Sequence, residues 1–341
     1  MRNFDGFYKG IDLGGWISQC GKNYNDEHYS TFITEKDIEK IASMGLDHVR
    51  MPVDYNVIQT EDGKLIESGM AYIENCVGWC KKHGINIVID LHKTCGYIFD
   101  DPTYCGFFAN EKLQDQFVYL WQEIAKRYGN DEHIAFELLN EITSADFTES
   151  WNKIASRTVK EIRKIAPDTK IVIGGIFNSS IYGLTKLDIP WDENIVLTFH
   201  CYNPLVFTHQ GAGWIDSLDK SYRTTFPATA EKLLADSRKY FGEDFASDFN
   251  GITGMIDSSF FVKMFGDAIN VAEKLDLPLY CGEYGVIDQA DTEGTLNWFR
   301  LIHEAFEKYH IARAVWSYKE MDFGITDAHY APIYDELIKA L

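Results

Sequence analysis

Eight short apolar runs, set apart by longer amphipathic stretches, restrict this chain more than any other feature. They lie at 9–14 (KGIDLG), 48–53 (HVRMPV), 85–92 (INIVIDLH), 134–141 (IAFELLNE), 170–175 (KIVIGG), 195–202 (IVLTFHCY), 278–284 (PLYCGEY) and 313–319 (RAVWSYK). Val and Ile are frequent in them, as suits strands buried on both faces. The intervening stretches repeat apolar residues at spacings of three and four, the period of a helix with one buried face. In 34–44, Thr34 can cap, Asp37 sits in the first turn, and Ile38, Ile41 and Ala42 share a face. Leu113, Phe117, Leu120, Trp121 and Ile124 do the same in 110–128, as do Trp151, Ile154, Ala155, Ile162 and Ile165 in 150–165. Further helices are predicted over 68–83, 257–275 and 292–309, with a short one over 332–341.

Eight such strand-and-helix units within 341 residues predict a (β/α)8 TIM barrel. The competing arrangement is an open doubly wound sheet, which usually carries a glycine-rich phosphate turn after its first strand. Here the first run leads into Gly14-Gly15-Trp16, with no G-x-G-x-x-G. One connection is too long for a plain loop, from Asn203 to about Ile256. It predicts a small helical subdomain over 205–256, with a helix over 228–241, inserted after strand six and set over the barrel mouth. The whole of 1–341 reads as one domain carrying that insertion.

Charge narrows the partners. Lys and Arg number 32 against 52 Asp and Glu, a net charge of −20, which repels phosphate backbones and anionic lipid. No apolar run approaches the ~18 residues of a membrane span. The seven cysteines are irregularly spaced and read as reduced and mostly buried, with no metal or disulfide framework. Met1-Arg2-Asn3-Phe4-Asp5 carries no apolar leader. A cytoplasmic monomer without metal or cofactor is the expectation, and a secreted one if a leader has been removed.

Barrels of this kind carry their active sites at the C-terminal ends of the strands. There the sequence places Arg50, then Asp90 and His92, Asn140 and Glu141, His200 and Tyr202, Glu283, and Trp316. Singly, each has a structural explanation: a surface glutamate, an ion-paired arginine, core histidines, a space-filling tryptophan. Together they put many polar groups at one end of an apolar barrel. That is costly unless they pair with one another or with a ligand. The convergence points to catalysis.

The same residues carry a resemblance. Gly10-Ile11-Asp12-Leu13-Gly14-Gly15-Trp16-Ile17, Thr31-Phe32-Ile33-Thr34-Glu35-Lys36-Asp37-Ile38, and His48-Val49-Arg50-Met51-Pro52 open it. It continues through Ala135-Phe136-Glu137-Leu138-Leu139-Asn140-Glu141, Phe199-His200-Cys201-Tyr202-Asn203-Pro204 and Tyr280-Cys281-Gly282-Glu283-Tyr284-Gly285. Nearly end to end, the chain resembles glycoside hydrolase family 5, most closely its compact bacterial endoglucanases with a helical insertion after strand six. The resemblance implies Glu141 as acid/base and Glu283 as nucleophile of a retaining endo-β-1,4-glucanase, with carboxyl groups about 5–5.5 Å apart. It also implies that Asn140 binds the sugar 2-hydroxyl, that Arg50 and Tyr202 hold Glu283 ionised and oriented, and that His200 acts near Glu141. His92 and Trp316 would bind sugar in the subsite before the cut. Within the insertion, Trp214 or Phe207 is expected to face sugar. One departure stands out: the family often reads His-His-Ala-Pro-Gly after strand three, and this chain reads His92-Lys93-Thr94-Cys95-Gly96.

Cellulose-type or mixed-linkage β-glucan in soluble form is the expected substrate. The Leu-Gly-Gly-Trp opening also occurs in exo-acting β-1,3-glucanases of the family, which gives an exo-acting glucanase or β-glucosidase as the alternative. A carbohydrate-binding protein on a dead barrel is disfavoured by the intact glutamate pair. A zinc hydrolase using His92 and His200 is disfavoured because the first strand has no HxH pair.

Overall fold

The computed structural model describes residues 1–341. Eight parallel strands close into a barrel in sequence order: β1 (Lys9–Asp12), β2 (His48–Asp54), β3 (Asn86–Lys93), β4 (Ile134–Glu137), β5 (Lys170–Gly174), β6 (Ile195–Cys201), β7 (Leu279–Tyr284) and β8 (Ala312–Val315). Ile11 of β1 pairs with Val315 of β8 and completes the ring. This is the (β/α)8 architecture that the alternating runs predict.

The period-two alternation of each strand divides the molecule into two layers. On β3, Ile87, Ile89 and Leu91 point outward into the large core shared with the surrounding helices. Val88 points inward, into a separate small cluster with Ala135, Val172, Val196, Tyr280, Ala312 and Ala314. Phe4 and Phe7, stacked at 4.5 Å, plug the base of this lumen. Two residues further along the same strands, the inward positions become Asp90, Glu137, Thr198 and Gly282. The lumen therefore changes from apolar at its base to charged at its mouth.

Helices Glu35–Ser43, Glu67–His83, Glu111–Tyr128, Thr148–Arg163, Ser259–Leu275 and Thr292–Tyr309 cover the outer faces. Asp37 caps the first of them, accepting from the Thr34 N–H at 2.8 Å. No long helix follows β5; the single turns Ile176–Ser179 and Ile181–Leu184 take its place. β4 and β8 fall furthest short of their apolar runs. β4 ends at Glu137 although Leu138 and Leu139 continue the run, and β8 ends at Val315, just before Trp316. Beyond β4 the backbone still bonds alternately, Leu138 N–H to Val172 O at 3.1 Å and Asn140 N–H to Leu91 O at 3.1 Å, before turning at Glu141.

Between β6 and the helix Ser259–Leu275 lie the turn Leu205–Thr208, the helix Ala230–Phe241 and two short turns. This segment is anchored on the barrel's flank: Phe249 stacks on Phe260 at 5.2 Å, and Asn297 Nδ2 donates to Phe226 O at 3.4 Å. The stretch from His209 to Trp214 approaches the mouth, where His209 meets Tyr202 edge-on at 5.1 Å. All seven cysteines are free, and only Cys105 is not buried.

Candidate active site

Arg50, inward on β2 and fully buried, is the hub of the mouth. Its Nε and Nη2 donate to the two Glu137 oxygens at 2.7 and 3.1 Å, and its Nη1 donates to Asp12 at 3.1 Å and Glu283 at 2.8 Å. Its Nη2 also reaches the Asn140 side-chain oxygen at 2.9 Å and lies 3.0 Å from Asp90. One guanidinium thus faces four buried carboxylates. A single cation cannot offset four buried anions. Burial accordingly pushes Asp12 and Glu137 above the usual carboxylate range and Asp90 up to about 7, each against the pull of Arg50.

Glu283 on β7 accepts a hydrogen bond on each oxygen. Arg50 donates to its Oε1, and the Tyr202 hydroxyl donates to its Oε2 at 2.9 Å. Burial holds the Tyr202 phenol well above its ordinary value, so it remains a donor.

Glu141 stands on the turn after β4 with φ of 35°, a left-handed geometry uncommon outside glycine. Its carbonyl accepts from the Tyr97 hydroxyl at 2.6 Å, and that hydroxyl in turn accepts from the Thr143 N–H at 3.0 Å. The carboxyl meets His200 Nδ1 at 2.8 Å through Oε1 and accepts from Asn178 Nδ2 at 3.0 Å through Oε2. Burial raises Glu141 to about 7, opposed by the Asn178 hydrogen bond. Burial lowers His200, so its ring is neutral near pH 7. His200 Nδ1 is also 3.6 Å from Glu283 Oε2. The facing atoms of Glu141, His200 and Glu283 all lie within 4.8 Å of one another.

The sugar-side residues surround this pair. His92 hydrogen-bonds Asp90 through Nδ1 at 2.6 Å, and burial depresses it to about 3. Its Nε2 lies 3.5 Å from Asn140 Nδ2. Asn140 spends its oxygen on Arg50, so its amide hydrogens are what it can offer a ligand. Trp316 lies parallel to His92 at 5.8 Å. A Cβ at Gly14 would come within 3.0 Å of the Trp316 ring, so glycine leaves that indole its place. Trp214 is 54% exposed, with His209 and Phe323 beside it at 6.3 and 6.5 Å.

Arg50, His92, Asn140, Glu141, His200, Tyr202, Glu283 and Trp316 thus converge, with Trp214 at the rim. Phe207 does not join them. It is fully buried against Phe226 at 5.1 Å and beneath Gly294, so its expected contact with sugar is wrong. Four residues of the site escape sequence reasoning. Asp12 and Glu137 do carry a signal, a charge inside an apolar strand. Tyr97 and Asn178 lie in loops and carry none.

The sequence profile of the cellulases, glycosyl hydrolase family 5, matches residues 14–322. Cellodextrinase A of Ruminococcus flavefaciens is 43% identical over 311 residues, 90% of this chain and 84% of that protein. Endoglucanase C of Acetivibrio thermocellus is 42% identical over 342 residues, 98% of each. Among solved structures, the endoglucanase Cel5A of the hyperthermophilic Thermotoga maritima superposes with a TM-score of 0.76 at 26% identity, covering 98% of this chain and 96% of that one.

Proposed function

The chain belongs to glycosyl hydrolase family 5, and we propose that it cuts β-1,4-linked glucan chains internally, with retention, by double displacement. It is a glycoside hydrolase of the endoglucanase type. The observation that carries the mechanism is the spacing and unlike surroundings of its two glutamates. Facing atoms within 4.8 Å leave no room for a water between carboxylate and sugar, which inversion requires.

Glu283, clamped by Arg50 and Tyr202, attacks the anomeric carbon and forms the glycosyl-enzyme. Glu141, raised to about 7 by burial, carries the proton that the departing oxygen takes up. Once deprotonated, Glu141 accepts a proton from the water that releases the sugar, and both groups return to their starting states. His200, neutral, holds the Glu141 carboxyl in place through Nδ1 and lies 3.6 Å from Glu283 Oε2. Asn140 offers its amide hydrogens to the sugar hydroxyl beside the reacting carbon, and His92 and Trp316 form the wall of that subsite.

Relatives named endoglucanase and cellodextrinase point to β-1,4-glucan as substrate, the first to long chains and the second to short ones. Product analysis on carboxymethylcellulose, lichenan, laminarin and cello-oligosaccharides separates these. An endo-acting enzyme lowers the viscosity of carboxymethylcellulose well before reducing ends accumulate. Release of glucose from laminarin alone would replace this reading with the exo-acting β-1,3 one.

A further inference from the structure

Two buried polar atoms beneath the glutamate pair have no hydrogen-bond partner, His200 Nε2 and the Thr198 hydroxyl. Both residues point inward from β6, with Thr198 one inward position below His200. Thr198 is fully buried, and glycines flank it, Gly174 on β5 and Gly282 on β7. A Cβ on Gly174 would lie 3.3 Å from Thr198 Cγ2. One on Gly282 would lie 2.8 Å from Thr198 Oγ1 and 3.2 Å from His200 Nε2. The methyl of Thr198 therefore faces β5, and its hydroxyl borders the same small space as His200 Nε2, beside β7. A register shift puts Gly282 there: Phe199 pairs with Cys281 and His200 with Glu283, and Gly282 falls between. A side chain at 282 would fill that space.

The ring of His200 is neutral because burial lowers it, so it carries one proton. Its two ends agree on where that proton sits. Nδ1 lies 2.8 Å from Glu141 Oε1 and 3.6 Å from Glu283 Oε2. A bare Nδ1 would aim its lone pair at two carboxyls, one of them the nucleophile. At the other end, the Thr198 hydroxyl offers one hydrogen and two lone pairs. If it donates to a bare Nε2, only an oxygen lone pair is left over. If Nε2–H donates to it, the hydroxyl hydrogen stays buried without a partner, and orphaned donors are rarer in proteins than under-used acceptors. Both ends favour Nδ1–H with Nε2 bare. Glu141 Oε1, accepting from Nδ1–H, is then the carbonyl oxygen of the acid form. The acid proton belongs on Oε2, which still accepts from Asn178 Nδ2 at 3.0 Å.

We infer that Thr198 is a positioning residue for the acid: its hydroxyl donates, directly or through one water, to His200 Nε2, fixes the ring as the Nδ1–H tautomer, and so makes Oε2 the Glu141 oxygen that gives up the proton and takes it back. This rests on the double-displacement reading above and specifies which atom carries its proton. The proton leaves Oε2 with the departing oxygen, the attacking water returns one to Oε2, and the ring proton stays on Nδ1 throughout. His200 is faced by Glu141 and Glu137 from the β4 side, by Glu283 from β7 and by Arg50 from β2. Thr198 itself does not titrate, so a change there reaches the pH profile through the ring.

The test reads the ring directly. With histidine isotope-labelled at its ring nitrogens, proton–nitrogen correlation spectra near neutral pH separate the two tautomers, and the signals of His200 are those lost in His200→Asn. The wild-type protein is expected to show a protonated Nδ1 and a bare, hydrogen-bonded Nε2. Thr198→Val, close in shape but without the hydroxyl, should shift the Nε2 signal to that of a bare nitrogen with no donor, and Thr198→Ser should keep the wild-type position. Catalysis gives the second readout. A ring that accepts at Nε2 donates more strongly at Nδ1, which favours ionised Glu141, so Thr198→Val should move the alkaline limb of the cellotetraose kcat/KM profile up by about 0.3–0.5 in pH. Thr198→Ser should restore it. Formation of the glycosyl-enzyme from an activated aryl β-cellobioside, which needs no proton, should change by less than about twofold in Thr198→Val. A wild-type ring protonated at Nε2, an Nε2 signal indifferent to Thr198→Val, or an alkaline limb that stays or moves down would each overturn the assignment. A protein inert on every cello-oligosaccharide would instead remove the glucanase reading, while the spectra would still decide the tautomer and the part of Thr198 in it.

Discussion

Glu141 and Glu283 are the same residue type at the same mouth, with facing atoms within 4.8 Å, yet they keep different company. Glu283 lies near the end of β7, where the register shifts against both neighbouring strands, and receives two strong donors, the Arg50 guanidinium and the Tyr202 hydroxyl, one on each oxygen. Glu141 lies on a left-handed turn with an amide and a neutral imidazole for partners, and burial raises it to about 7. The difference shows how one barrel obtains two chemistries from one side chain. In the mechanism proposed above, a fixed cation serves the group that attacks, and burial without an ion-paired cation keeps the proton on the group that gives one.

Removing the carboxylate on the cation's side should have the largest effect. Glu283→Ala should lower kcat by about 100,000-fold for activated and unactivated substrates alike, since no leaving group substitutes for a nucleophile. Added azide could then give only the inverted glycosyl azide. A retained azide product from this variant would exchange the two roles.

Glu141→Ala should break the comparison differently. Cello-oligosaccharides, whose alkoxide leaving group needs a proton, should slow by about 100- to 10,000-fold. An activated aryl cellobioside should still form the glycosyl-enzyme, which then accumulates because the base for water is missing as well. Azide should restore turnover with retained configuration, read from the anomeric proton of the product.

Next is the donor that distinguishes Glu283's surroundings. Tyr202→Phe deletes one hydrogen bond to a carboxylate, a loss of about 1.5–3 kcal/mol, or roughly ten- to a hundredfold in rate. Because it acts through the nucleophile, rates of glycosyl-enzyme formation should fall equally for aryl and oligosaccharide substrates. A loss confined to oligosaccharides would place Tyr202 in proton donation instead.

The titration of Glu141 sharpens the contrast without a mutation. Its carboxyl is held up by burial, so the acid form is present below about pH 7 and is lost as pH rises through that value. The kcat/KM for cello-oligosaccharides should fall on the alkaline side of about 7. The limb should be muted for an activated aryl glycoside, for which the proton matters little. An alkaline limb equally steep for both would mean that a group other than the acid controls it.

Much of this is legible in the sequence because parallel strands buried on both faces read as unbroken apolar runs, and their ends are where a barrel places its chemistry. At Leu138-Leu139 the apolar run outlasts the ladder, so Glu141 sits on a turn and not on a strand, and the last run likewise passes the end of β8. Asp12 and Glu137 can be found as charges inside such runs, since a buried acid needs a partner. Asn178 cannot: it stands in a left-handed turn beside the close meeting of Gly175 with Gly183, residues eight apart with no periodic signal between them. Phe207 misleads for the converse reason: an aromatic near a cleft in sequence has no marker that separates sugar from core, and Phe226 settles it.

The smallest effect belongs to the rim. Trp214 is more than half exposed and touches neither glutamate; its aromatic neighbours His209 and Phe323 link it to Tyr202. A flat ring there can add contact with a sugar chain but cannot alter either carboxyl. Trp214→Ala should therefore raise KM for long glucans by about threefold, less than the worth of a fully buried aromatic because the ring stays largely solvated. The value of kcat and the alkaline limb should not move. Circular dichroism melting should be unchanged, since an exposed side chain stabilises little. A fall in kcat with KM unchanged would instead connect the insertion to the nucleophile through His209 and Tyr202, and the two glutamates would then differ in one more partner than their direct hydrogen bonds reveal.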